Sequence, residues 1–336
     1  MSEKLNPGMG INPWPINLFE RSFFTVTLAT GTALMLWLLT SGQSQQTIQV
    51  VYFAIPVSVM LLVLCIEKLH PIQRNWSQPR GDTAADLWSL SIVALAMEPL
   101  MTAIGPALAV LIVTSIAIPS AFSLFTGMPL WQEALLVILM IDFGKYWFHR
   151  ASHHNAFLWR FHSSHHAVKR MYLINGFRLH PIYHMSTYMI AILPPMVLGA
   201  SQEALIMHSV VLGIAGSFQH ANIKLQHGPL NYIFSTNELH RWHHSSNIQE
   251  GNKNCGAIFS VWDILFGSYH LDLNGEPKNI GLHGEEFYPM NNYWKQLAVP
   301  FLWKKWMDEP MARKAALAKS ANTNMNTATA NSASQE

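Results

Sequence analysis

Apolar and polar positions fall in long blocks along this chain. The run SFFTVTLATGTALMLWLLT (22–40) carries no charge and has the roughly 20 residues a helix needs to cross a hydrocarbon core. VYFAIPVSVMLLVLC (51–65) predicts a second, slightly short span. The apolar run 87–122 is too long for one straight helix, and Pro99, Gly105 and Pro106 interrupt it. LWQEALLVILMIDFGKYWF (130–148) predicts another span, with Trp131 near one end and Tyr146 and Trp147 near the other, as interfacial aromatics sit. A further apolar block, 182–219, is divided by Pro194, Pro195 and Gly199 and has histidine-bearing polar sequence on both sides. It predicts a helical hairpin that enters and leaves from one side.

The polar connections assign that side. The loop SGQSQQTIQ (41–49) is uncharged, whereas the next carries Lys68, Arg74 and Arg80, and 149–180 carries Arg150, Arg160, Lys169, Arg170 and Arg178. Excess Lys and Arg mark cytoplasmic loops. With 119–128 outside, the segment 87–122 must cross an odd number of times, which one tilted or broken span satisfies. The expected fold is all-α integral membrane, multi-pass: about four transmembrane helices plus a helical hairpin, under a cytoplasmic helical domain that carries the histidines. The boundaries expected are a lead-in over 1–21, membrane helices over 22–128, a histidine-bearing domain over 129–300, and a helix end with a tail over 301–336. The lead-in lacks a promptly placed small-residue cleavage site and does not read as an export signal. KSANTNMNTATANSASQE, closing the chain, is low in complexity and expected to be disordered.

Composition agrees with a lipid environment. Half of the 336 residues are hydrophobic and 12% are charged, against about 25% in an ordinary soluble domain. A formal charge of +2 with no basic block excludes a nucleic-acid partner. Cys65 and Cys255 make neither a disulfide framework nor a CxxC metal site. Histidine is the anomaly, at 17 residues.

The histidines repeat in spacing. FGKYWFHRASHH places His149 and His153 four apart; FHSSHH and LHRWHH each write His-x-x-His-His, as His162, His165, His166 and as His240, His243, His244. Positions i and i+3 or i+4 share a helix face, so their imidazoles can converge on one ion. Adjacent residues point about 100° apart on a helix, so each His-His pair can serve two neighbouring metals. These eight are too many for one tetrahedral zinc and suit two metals, and imidazole accommodates Fe, Zn, Cu or Ni alike. A single HxxxH is common by chance; the repeated box beside the ends of apolar spans is not. His220 in SFQHANI is favoured as a ninth ligand. His180 is divided between ligand and supporting roles, with His184 less favoured because Pro181 lies between them and starts a new span. His208 reads as a core histidine, and His70, His227, His270 and His283 as loop residues. Asp142, two helical turns before His149, is placed to orient a ligand ring or to pair with Lys145. Asn175 and Arg178 in INGFR hold either the site or a headgroup.

In order and spacing, DFGKYWFHRASHH, LWRFHSSHHAVKRMYLINGFRLHPIYH, FQHANI and NELHRWHHSS, followed by Trp262, Asp263, Phe266 and Gly267 in a WD-x-x-FG segment, resemble the fatty acid hydroxylase/sterol desaturase superfamily over about residues 130–270. The resemblance implies a helical membrane anchor under a cytoplasmic catalytic cap. It implies two Fe ions held by the three boxes and the FQH position, and O2-dependent hydroxylation or desaturation of a lipid C–H bond. No GxGxxG fingerprint and no fused cytochrome-like domain is visible, so electrons are expected from a separate ferredoxin, cytochrome or reductase. Two other readings stay open at this point. One is a zinc-type or otherwise redox-silent lipid-modifying enzyme; the other is a His-rich metal transporter or sensor, against which the boxes lie beyond the span ends rather than at mid-bilayer.

Overall fold

The computed structural model describes residues 18–116, 122–273, 275–282, 287–317 and 319. The lead-in up to residue 17, His283 and the expected disordered tail beyond Lys319 lie outside the described residues. The described residues are helical apart from turns, loops and two isolated bridges, Phe234 with Phe259 and Ser245 with Ile280.

Among the described residues, three helices are long and apolar enough to cross a membrane: α1 (Leu18–Thr40), α2 (Gln45–Leu69) and α3, the continuous helical stretch Thr83–Ser115. Val26, Trp37, Phe53, Leu61, Leu95 and Leu111 are exposed on them while Phe24, Met35, Val59 and Met101 are buried. A helix apolar on both faces needs a second apolar medium outside the protein core. α1 begins at Leu18, four residues before the expected span. α3 passes through Gly105 and Pro106 without a break, contrary to the interruption expected there, so Thr83–Ser115 is one continuous helical stretch.

One turn of α3 is widened. Val93–Met97 is a π-helical turn, and Pro99 follows it; the proline ring would strike the carbonyl four residues back, at Leu95, and a widened turn makes room. The same device recurs at Tyr188–Ile192 before Pro194 and Pro195, and at Lys304–Asp308 before Pro310.

The fourth predicted span forms α4 (Leu130–His154), as long as α2 but carrying Glu133, Asp142 and Lys145 among its apolar residues. α5 (Ala156–His166) follows after one residue. The predicted hairpin is present: α6 (Pro181–Thr187), the π turn, α7 (Leu193–Val197), a turn with Gly199 at φ 84°, and α8 (Gln202–Gln219). α8 is the central post, packing on α1, α2 and α4. Gly31 of α1 admits Ile214, whose Cδ1 lies 2.5 Å from where a Cβ would stand, and Gly144 of α4 brings the backbone of Ala191 as close as 3.1 Å. One core joins Phe24, Ile55, Ile141, Ile214 and Phe218 to Ile258 of the region beyond the hairpin.

Hydrogen bonds sort the helix ends into two levels. At one level Leu124 N–H donates to Leu198 O, and Ser201 N–H to Glu133 Oε1. At the other, Gln226 N–H donates to Glu20 O, His70 Nε2 meets Glu20 Oε1 at 2.9 Å, and Glu67 Oε1 accepts from Leu173 and Asn222 N–H. The second level carries short elements: α9 (Asn237–His243), α10 (Ile248–Gly251), α11 (Val261–Leu265) and α12 (Tyr293–Trp303).

Candidate metal centre

α4 ends in the first box, with His149 and His153 on one face, ring centroids 5.1 Å apart. Asn155 then reverses the chain in one residue. Its backbone N–H closes α4 on Ala151 O, and its Oδ1 accepts from Phe157 and Leu158 N–H at 2.9 and 3.1 Å to start α5. α5 thus returns His162 and His166 against the first box. α8 ends at His220. Thr236 caps α9, which carries His240 and His243, with His244 closing it.

The nine histidines form two groups. His149, His153, His162, His166 and His243 make one; His165, His220, His240 and His244 make the other; within each, the potential ligand nitrogens lie within 4.8 Å of one another. The adjacent pairs divide between them: the rings of His165 and His166 are 86° apart, and those of His243 and His244 are 88° apart. The adjacent pairs thus divide as expected, but so do the i, i+3 pairs His162 with His165 and His240 with His243, which were expected to share an ion; the i, i+4 spacing is what keeps His149 with His153, His162 with His166 and His240 with His244.

Second partners fix which nitrogen faces inward. His149 Nδ1–H donates to Cys255 O at 2.8 Å and His243 Nδ1–H to Lys253 O at 2.7 Å; a carbonyl only accepts, so each Nε2 keeps its lone pair. Asn175 Nδ2 donates to Arg170 O, which turns its Oδ1 toward His220 Nδ1 at 2.8 Å. His153 Nδ1 faces Asn252 Oδ1 at 3.2 Å. Inside, Nε2 atoms approach each other: His162 to His166 at 3.1 Å, and His165 to His220 and His244 at 3.3 and 3.2 Å. The Nε2 atoms of His149, His153 and His243 are buried with no partner. Burial keeps the rings neutral, lowering His149 from 6.5 to about 4 and His165 to about 3. Converging, unprotonated, unpartnered donors are costly unless a cation sits among them, and this donor set fits one per group.

The remaining candidates are placed as follows. His180 joins neither group: its Nδ1 accepts from Ile182 N–H as the cap of α6 and its Nε2 meets Leu297 O, a structural role that corrects the ligand option. Asp142 lies near Lys145, as the second option had it, and reaches the first box only indirectly. Its carboxylate meets no imidazole; it accepts from Ile258 and Phe259 N–H and from Trp262 Nε1, fastening the 255–262 loop to α4. Asp263 shapes the same loop, accepting from Cys255 and Gly256 N–H and Ser268 Oγ, so both aspartates act on His149 through the Cys255 carbonyl. Arg178 is fully buried against Asp86, with Nε to Oδ1 at 2.6 Å and Nη1 donating to Ala167 O, the residue after the second box. That geometry excludes a headgroup contact for Arg178. His184 pairs with Glu98, and His208 is buried on α8 outside both groups.

Sequence reasoning missed Asp82 and Asp86. Asp82 pairs with Arg170 through two bonds of 2.8 Å, so two buried ion pairs tie the start of α3 to the segment after the second box. Their signal was present: two carboxylates four apart opening an otherwise apolar run. Asn252 and the Lys253 and Cys255 carbonyls were also missed, and carbonyls carry no side-chain signature.

Comparison with known proteins follows the same residues. The family model for fatty acid hydroxylase matches 134–268, which holds all nine clustered histidines. Ornithine lipid hydroxylase OlsE of Rhizobium tropici is 31% identical over 248 residues, covering 73% of this chain and 74% of that protein. Alkylglycerol monooxygenase of Homo sapiens is 27% identical over 42% of this chain and 31% of its own length. Very-long-chain aldehyde decarbonylase GL1-7 of Oryza sativa subsp. japonica is 32% identical over 43% of this chain and 25% of its own. No solved structure matches the chain.

Proposed function

Because the chain belongs to the fatty acid hydroxylase/sterol desaturase superfamily, we propose that it is a membrane di-iron oxidoreductase that hydroxylates, or desaturates, a lipid C–H bond with O2. The observation that carries this reading is the division of adjacent histidines between two convergent groups, which supports a paired-metal centre. His149, His153, His162, His166 and His243 would hold one iron and His165, His220, His240 and His244 the other. Iron so held supplies O2 activation with electrons from a separate ferredoxin, cytochrome or reductase.

The protein's share is positional. The Cys255 and Lys253 carbonyls and Asn175 hold three rings in the tautomer that offers Nε2. Burial keeps protons off the rings and water away from the centre. Lys68, Arg74, Arg80, Arg150, Arg160 and Lys169 fall at the level of the centre, which supports a cytoplasmic catalytic face on a multi-pass protein. Relatives bearing the names lipid hydroxylase and alkylglycerol monooxygenase support a lipid substrate.

Purified protein should carry close to two irons per chain and form lipid product only with O2 and an electron source. His243→Ala should abolish that product. One zinc with no iron, or undiminished product under anaerobic conditions, would overturn the assignment.

A further inference from the structure

A cavity of about 410 Å³ ends on His153 and His166, both of the five-histidine group; no histidine of the other group lines it. Its walls include Ala156, Trp159, Leu282, Trp303, Met307 and Met311. This volume is in the range, roughly 300–1,000 Å³, of sites that enclose small organic ligands. Part of the wall is α12, which packs on α5, and its continuation through the π turn. Trp303, Met307 and Met311 face the cavity while Trp294, Phe301 and Leu302 of the same segment are exposed.

Aromatic residues, exposed except for Phe161, continue from there to the membrane helices. Trp294 meets Trp88 of α3 at 5.4 Å, Phe301 meets Phe161 at 5.8 Å, and Phe161 meets the exposed Phe157 at 5.4 Å. Aromatic side chains clustered at the end of a spanning helix mark the bilayer interface. The cavity therefore lies between the centre and a surface that faces lipid headgroups and upper acyl chains.

We propose that this cavity receives the reacting alkyl chain of the lipid, entering beside α12, so that the five-histidine group is the one the substrate reaches. The inference rests on the lipid-oxidation reading above, and its occupant is an unbranched hydrocarbon chain. The flexible thioethers of Met307 and Met311 adapt to such a chain, and Trp159 and Trp303 flank it. Ala156, exposed at the start of α5, leaves the entrance open.

The test uses the full-length, iron-loaded protein in lipid nanodiscs and a long-chain fatty alcohol with a diazirine on its terminal carbon. After photolysis and digestion, mass spectrometry should find the probe on peptides containing Trp159, Trp303 or Met307. Ala156→Trp should reduce that labelling several-fold with bound iron unchanged, and Met311→Trp should do the same from the continuation of α12 should the first variant fail to fold. Labelling confined to α1–α3, or cap labelling indifferent to both substitutions, would overturn the proposal. Failure of the activity reading is separable: labelling would persist in a protein that makes no O2-dependent product.

Discussion

Removing the Asn175 amide would leave His220 Nδ1 without its acceptor while every imidazole stays in place. Asn175→Ala should lower metal affinity about 10–100-fold, the range for losing a residue that orients a ligand, with the four-histidine group affected first. Metal titration of the apo protein checks this, and retention of both metals at wild-type affinity would contradict it. Protons should act on the same rings. His149 is neutral when folded down to about 4, against 6.5 when unfolded, so the unfolded chain binds protons first as pH falls. Stability from this source is complete above 6.5 and is lost progressively toward about 4, and His165 extends the loss toward about 3. The melting temperature of metal-free protein should be level above 6.5 and fall through that window; a rise on acidification would refute the sign. The nine imidazoles were legible because a helix turns spacing into direction. How Asp142 supports the first box was not legible, because spacing alone does not say which neighbour occupies the face between two turns. There the neighbour is the 255–262 loop, from more than a hundred residues away.

Helices meet here through small residues and buried ions. Gly144→Val would press into the Ala191 backbone and force α4 from the hairpin, at a cost of about 1–3 kcal/mol for overpacking. Thermal unfolding in detergent should show it, together with weakened metal binding, since α4 carries His149 and His153. Asp86→Asn would strand the fully buried Arg178 and should destabilise by roughly 3–5 kcal/mol, while Asp86→Ala with Arg178→Met should recover part of the loss. The hairpin and α1–α3 were legible from hydropathy. Pro99 and Pro106 were read as interruptions, yet α3 continues through both, with the turn ahead of Pro99 widened, whereas the division expected at Pro194, Pro195 and Gly199 is where the hairpin turns. Few periodic signals foretold the segments between 223 and 292, where capping side chains and loop carbonyls define the backbone.

Across the whole molecule, helix ends lie at two levels, and the histidines occupy one of them. Cysteines placed at Gln43 and at Lys278 should therefore react with an impermeant thiol reagent from opposite sides of a sealed vesicle; labelling of both from one side would contradict the arrangement. A single core connects the apolar helices with Ile258, so anchor and centre share their packing rather than stacking as separable parts. The two groups of histidines also impose an order on synthesis. The first two boxes leave the ribosome before the hairpin, His220 arrives only when the hairpin has returned, and both groups need the third box. A nascent chain whose hairpin fails to insert leaves His165 without His220 and has one group incomplete. If each group holds an iron as proposed, occupancy of both would record that the polypeptide was threaded correctly, and a quality-control system that reads iron content would be reading topology.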